Sequence, residues 1–188
     1  MMLSKRLVSR LNESKSRTIL SIAPMLERLP PESQRFDDPL LPYSKAIIAA
    51  SSGLVSGYLL NFTAYLTLGG AGIVALERAL AFATASGSVT ILDGAFASAE
   101  YAAALNHGEL MIDAVTLQDA GLCAAFENKG MTPILKADSG KYPDCWKLIE
   151  NHLIFRDESW AVISAEQVTR GKLDFEKALR DYLTEFAR

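Results

Sequence analysis

Apolar positions along this chain follow two periods, and the two periods alternate. Leu3, Leu7 and Leu11 fall on one stripe of a helical repeat, which predicts an amphipathic helix over 1–16. Thr18 to Ala23 (TILSIA) is a short, nearly unbroken apolar run stopped by Pro24, the pattern of a buried strand. Four prolines between residues 30 and 43 mark a loop. Next come a predicted helix over 44–56, a strand over 58–65, a turn at Gly69, Gly70 and Gly72, and a helix over 73–85 with Glu77 and Arg78 facing out. A strand over 88–92 ends at Asp93. A helix over 97–105, a strand over 110–117, a helix over 120–128, a strand over 131–136 and a helix over 144–151 follow. Short strands over 153–155 and 160–164 precede a final helix over 174–187, whose apolar face is Phe175, Leu179, Tyr182, Leu183 and Phe186.

Strand–helix alternation with short connections implies parallel strands joined by right-handed crossovers. The count is six or seven strands, in an open doubly wound sheet or a barrel. In either α/β architecture, chemistry sits at the carboxyl ends of the strands. Those ends carry Ala23 and Pro24, Asn61 to Ala64, Asp93 to Ala95, Leu117 to Asp119, and Lys136 to Ser139.

Composition narrows this picture. The chain has 188 residues, 49% apolar and 22% charged, the profile of a single globular domain over 1–188. Nineteen basic residues against 22 acidic ones give a net charge of -3, which argues against nucleic acid as partner. Eightfold βα barrels usually need at least about 200 residues, so a complete one would be tight. Residues 46–76 carry no charge, a length able to cross a bilayer. Serines and glycines break that stretch into short pieces, so it reads as helix, buried strand and second helix, and no membrane is expected. Two cysteines and two histidines without CxxC spacing argue against a disulfide framework and a zinc site, and for the reducing cytoplasm.

Few motifs carry chemistry. No GxGxxG follows the first strand, and there is no P-loop and no GxSxG elbow. Gly69 to Gly72 reads as a tight turn before an anion nest, His107 as a solvated loop residue, and Cys123 as a small core residue. Cys145 has no histidine close in sequence. Asp93 is the best candidate. A carboxylate at the end of a buried strand is costly without a partner, so it is either a catalytic or sugar-binding group or the cap of the next helix. Lys136 and Asp138 reach an anionic ligand or simply begin a solvated loop, the plainer reading. Asp113 closes a hydrogen bond within its own strand.

Taken together, the strand ends resemble those of the longer, bacterial type of orotidine 5'-phosphate decarboxylase. The similarity is one of order and spacing over residues 1–139, with a weaker return near 160–188. Leu20 to Pro30 (LSIAPMLERLP) resembles the family's first-strand segment VGLDPxLExLP. Asn61 and then Tyr65 to Gly69 resemble KPNxAFFExxG, and Ile91-Leu92-Asp93 the start of DxKxxDI. Asp113 to Thr116 matches a DAVT strand, Lys129-Gly130 and then Ile134 to Ser139 sit where the family has GxGVFVLVRTSN, and Asp174 to Ala178 resembles its closing helix. The resemblance implies a TIM-barrel-like fold, incomplete or rearranged in its last third, a dimer, and no cofactor or metal. It adds Asn61 and Thr116 to Asp93, Lys136 and Asp138 as candidate ligand-binding residues.

In that family alternating lysines and aspartates drive decarboxylation, and the motif lysine protonates the carbon left behind. Here the first-strand aspartate corresponds to Ala23, the second-strand lysine to Leu59, the motif lysine to Ala95, and the second motif aspartate to Ser98. Only Asp93 remains. No phosphate-binding glycine loop occurs between Ser139 and Trp160. The resemblance therefore implies a catalytically inactive relative with a structural or regulatory role, as a homodimer or paired with an active homologue. The alternative is a divergent enzyme, or a small-molecule or sugar-phosphate binding module on the same scaffold. No catalytic residue is assigned.

Overall fold

The computed structural model describes residues 2–107, 110–136 and 145–186. Among these, eight strands close into one barrel in chain order. They are β1 (Thr18–Ile22), β2 (Gly57–Asn61), β3 (Val89–Phe96), β4 (Ala114–Leu117), β5 (Thr132–Leu135), β6 (Trp146–Ile149), β7 (His152–Phe155) and β8 (Glu158–Ser164). β1 to β6 run parallel, and β8 runs parallel to β1. Only β7 is antiparallel, to both of its neighbours.

The helices are α1 (Met2–Glu13), α2 (Leu40–Ser51), α3 (Phe62–Leu66), α4 (Gly69–Ala85), α5 (Glu100–His107), α6 (Cys123–Glu127), α7 (Ala165–Thr169) and α8 (Phe175–Phe186). Successive strand residues point to opposite faces. Leu20, Ile22, Leu60, Leu92, Val115 and Leu135 pack outward with the helices. Ile19, Leu59, Ile91, Ala114 and Ile134 pack inside the barrel. Both faces are buried, which is why these strands read as nearly continuous apolar runs.

Two features close the interior. Leu7 and Leu11 of α1 join the inner cluster at the amino-terminal end of the barrel, so this helix is its plug. Arg10 of the plug pairs with Asp113 and donates to the Ser88 carbonyl at 3.2 Å. Asp113 also accepts from the Thr90 backbone N–H at 2.9 Å. It therefore ties α1 and β3 to the start of β4, rather than bonding within its own strand. On the far side, Trp146, Phe155 and Trp160 fill the floor, with Trp146 centred 4.8 Å from Phe155 and 5.5 Å from Trp160. Both indoles are fully buried, and their N–H groups find no acceptor among the described residues.

The last third is rearranged, as expected, yet the barrel closes. The described part of the predicted helix over 144–151 is strand β6 and a turn. Trp146 alternates into the interior, and Ile149 faces His152 across a tight reversal. A hairpin thus stands where a strand–helix unit was expected. The predicted strand over 58–65 stops at Asn61, whose side chain caps α3 by accepting from the Ala64 N–H at 2.9 Å. Gly69 to Gly72 begin helix α4 rather than forming a separate turn. Among the described residues no helix is long and apolar enough to cross a membrane.

The plug makes a stability prediction. Leu11 is 0% exposed against the barrel floor. Leu11→Ala should cost about 2–5 kcal/mol in urea unfolding, the range for a buried leucine that leaves a cavity. A loss below ~1 kcal/mol would mean the helix does not seal the core.

Candidate functional site

The site is built on an irregularity in β3. Its register against β4 shifts between Leu92 and Phe96, and Ala95 adopts a φ of 46°. Such a conformation costs energy in a residue other than glycine and needs support from its surroundings. Thr116 of β4 gives that support. Its Oγ1 accepts the Gly94 and Ala95 N–H groups at 3.1 and 2.8 Å. Its proton goes to Asp93 Oδ1 at 2.7 Å, so the hydroxyl's one donor and two acceptor positions are all used. From outside, Phe96 folds back over Gly94: a Cβ there would lie 2.3 Å from the ring. Phe96 is itself held by Phe62 and Tyr101, at centroid separations of 5.5 and 4.9 Å.

The bulge presents Asp93 to two further donors. Lys136 Nζ, one residue past β5, lies 3.0 and 3.2 Å from the two carboxylate oxygens. Asn61 Nδ2 donates to Oδ2 at 3.3 Å while its carbonyl caps α3. The Asp93 side chain is 13% exposed and that of Lys136 34%. Ionised donors and acceptors make stronger hydrogen bonds than neutral ones, so this pair is the electrostatic centre of the barrel mouth. Asp93 is thus an ion-pair partner, and Lys136, exposed just past the strand, pairs with it.

Four of the five candidate residues therefore meet at one carboxylate. Asp138 lies outside the described residues. Asp93 and Lys136 line a cavity of about 780 Å³, with Ser21 and Leu59 beside them and Glu150, His152, Gln167, Tyr182 and Phe186 further out. The volume suits a small organic ligand. Sequence reasoning missed Glu150 and His152 because the segment 144–151 that leads into the β6–β7 hairpin was read as a helix, and it missed Gln167, Tyr182 and Phe186 because no local pattern brings α7 and α8 to the mouth. Ser21 had left a trace, as the one polar break inside TILSI. His107 is exposed at the end of α5. Burial pushes the Cys123 thiol up to about 12, so it stays protonated. Among the described residues no group of three metal-ligating side chains occurs.

No family model matches this chain, and no curated protein matches it. Solved structures do. An orotidine monophosphate decarboxylase from Leishmania donovani superposes with a TM-score of 0.57 at 16% identity, over 72% of this chain and 55% of its own. A protein from Streptomyces avermitilis, assigned by inference as an orotidine 5'-phosphate decarboxylase, gives 0.61 at 19% identity over 74% and 54%. One from Toxoplasma gondii, assigned in the same way, gives 0.60 at 19% identity over 73% and 50%. The fold is TIM-barrel-like and similar to that of these structures over about three quarters of this chain. The chain spans about half the length of these structures.

Within this barrel the positions where the resemblance calls for charged residues have definite surroundings. Leu59 points into the barrel among the apolar floor residues. The Ala95 N–H is held by Thr116. At Ala23, where the resemblance places a carboxylate, the backbone N–H donates to Glu166 Oε1 at 2.9 Å, and Ser164 Oγ donates to Oε2 at 3.2 Å. Glu166 lies in the first turn of helix α7, and no cation is paired with it among the described residues. Burial raises its carboxyl above the ordinary range, against the pull of these hydrogen bonds.

Two outcomes follow. Thr116→Val leaves two amides and Asp93 short of a partner and should cost about 1–3 kcal/mol in chemical unfolding, while Thr116→Ser should stay near wild type. Equal stability of the valine and serine variants would show that the hydroxyl does not hold the bulge. Because the folded Glu166 titrates above its unfolded value, its stabilising contribution is present in acid and lost as pH rises through the folded titration. The melting temperature of Glu166→Gln, relative to wild type, should therefore climb from acidic to alkaline buffer; a flat difference would refute the raised carboxyl.

Proposed function

We propose that the barrel mouth binds a small molecule and does not decarboxylate orotidine 5'-monophosphate, and that the chain acts in the cytoplasm as a structural or regulatory member of a dimer. The dimer is a pair of identical chains or one copy joined to an active homologue. The observation that carries this reading is the state of Asp93. Its charge is answered by Lys136, Thr116 and Asn61, so a tense carboxylate pressed against a substrate carboxylate is missing from the described site. A leucine and an alanine stand where the resemblance calls for lysines, and neither can deliver a proton.

A second reading is an enzyme of another reaction on the same scaffold. The Lys136 ammonium favours it, because the ion pair is partly open to the cavity and could hand a proton to a bound ligand. Any such activity would depend on Asp93 and Lys136 together.

The test is direct. Purified protein is expected to show no turnover of orotidine 5'-monophosphate and no thermal stabilisation by uridine or orotidine monophosphate. Clear turnover overturns the inactive reading. Stabilisation by either nucleotide restores a nucleotide site. If a different activity is found, Asp93→Asn should abolish it, and survival of that activity would place its centre elsewhere.

A further inference from the structure

Among the described residues the wall of the barrel is open on one side. β7 pairs with β8 only as far as His152 opposite Ala161. Above that row, Val162 donates its N–H to the Asn151 carbonyl at 2.7 Å, and then the hairpin turns away. Ile163 and Ser164 continue upward beside β1 alone, opposite Leu20 and Ser21. Two or three residues of strand span roughly 7–10 Å, enough for an aromatic ring to pass. The turn that ends the hairpin early is itself strained, with Glu150 at a φ of 51°.

The cavity runs through this gap. Its lining joins inward-facing Asp93, Lys136 and Leu148 to Val168 outside the sheet and to Tyr182 and Phe186 on α8. The interior of an eight-stranded barrel is normally filled by side chains, so 780 Å³ is accounted for by the side passage as well as the mouth. Tyr182 and Phe186 are stacked at 6.0 Å and remain 41% and 48% exposed, whereas Phe175, Leu179 and Leu183 of the same helix are buried. These two rings do not belong to the core. They form an aromatic wall along the exit.

Charge restricts what fits. Lys136 is the only lysine or arginine lining the cavity among the described residues, and it is held by both oxygens of Asp93. Glu150 adds a carboxylate. Among the described residues an anionic group would therefore meet no uncommitted lysine or arginine there and would face a negative side chain. A polar but uncharged head could share hydrogen bonds with the Asp93–Lys136 pair, and an aromatic body could lie against Tyr182 and Phe186.

We infer that the gap between the β6–β7 hairpin and upper β8 is a side arm of the ligand site, which seats the body of an uncharged aromatic compound whose hydroxyl or amide head reaches Asp93 and Lys136. The inference rests on reading the mouth as a ligand-binding pocket, and it adds the ligand's chemical class. Two fluorescent probes of the same shape test it: N-phenyl-1-naphthylamine, which is neutral, and 8-anilinonaphthalene-1-sulfonate, which carries a sulfonate. The neutral probe should bind saturably and at least tenfold more tightly. Tyr182→Ala with Phe186→Ala should weaken it tenfold or more while the far-UV circular dichroism stays unchanged. Phe82→Ala, on the exposed face of α4, should leave the affinity as it was. Equal or tighter binding of the sulfonate, or unchanged affinity in the double variant, overturns the side arm. So does an equal loss in Phe82→Ala, which would mark general surface adhesion. These results leave the fate of the mouth to the nucleotide assays, where turnover or nucleotide binding would count against the pocket reading alone.

Discussion

A sheet of this kind has to close on itself, and the rest of the structure follows from how it does so. An unpaired strand edge exposes a row of hydrogen-bonding groups, and only full closure removes both edges. Parallel strands joined by helices need about a dozen residues for each return. Between Lys136 and β8 the chain has room for little more than one hairpin. It closes by reversing one strand, which two residues of turn can accomplish. The antiparallel β7 is therefore the arrangement that lets a short chain meet β1 with β8. It fills the floor with Trp146, Phe155 and Trp160 and leaves the upper wall open.

Electrostatics at the mouth follow from a second constraint. A carboxylate at the end of a buried strand has to be neutralised or solvated. Here the β3 bulge turns Asp93 toward Lys136, and one threonine hydroxyl holds both the bulge and the carboxylate. Charge and backbone shape are thus stabilised by the same atom. The resulting site is satisfied before any ligand arrives. That differs from a centre that stores repulsion for use in a reaction, and it suits recognition through hydrogen bonds.

Much of this was legible in the sequence where local pattern and long-range packing agree. Strands buried on both faces announce themselves as apolar runs, so β1 and β5 were read close to their true limits, whereas β3, read as 88–92, continues through the bulge to Phe96. Asp93 and Lys136 were found because each is a polar residue at the end of such a run, whereas Asn61 and Thr116 came from the family resemblance. Their mutual contact was not legible, since it depends on a bulge that no local preference marks at Ala95. The segment from Trp146 to Asn151 was misread because Trp146 and Leu148 are compatible with a helix turn as well as with alternation into a barrel. Only the need to close the sheet decides between them. Tyr182 and Phe186 fit the helical stripe of α8 and were assigned to the core for that reason, yet the stripe is wider than the surface it covers.

The two indoles of the floor have a consequence for the order of assembly. They are the chain's only tryptophans, and they come from strands on either side of β7. Pairing of β1 with β8 joins segments about 140 residues apart in the chain, so it carries the largest entropic cost of any strand contact in the barrel. The first five strands can form neighbour by neighbour while Trp146 and Trp160 are still in water. The floor they fill is also lined by Ile19, Leu59 and Ile91 from the first strands, so their complete burial requires the early and the late parts of the chain to meet, and tryptophan emission is a built-in reporter of that meeting.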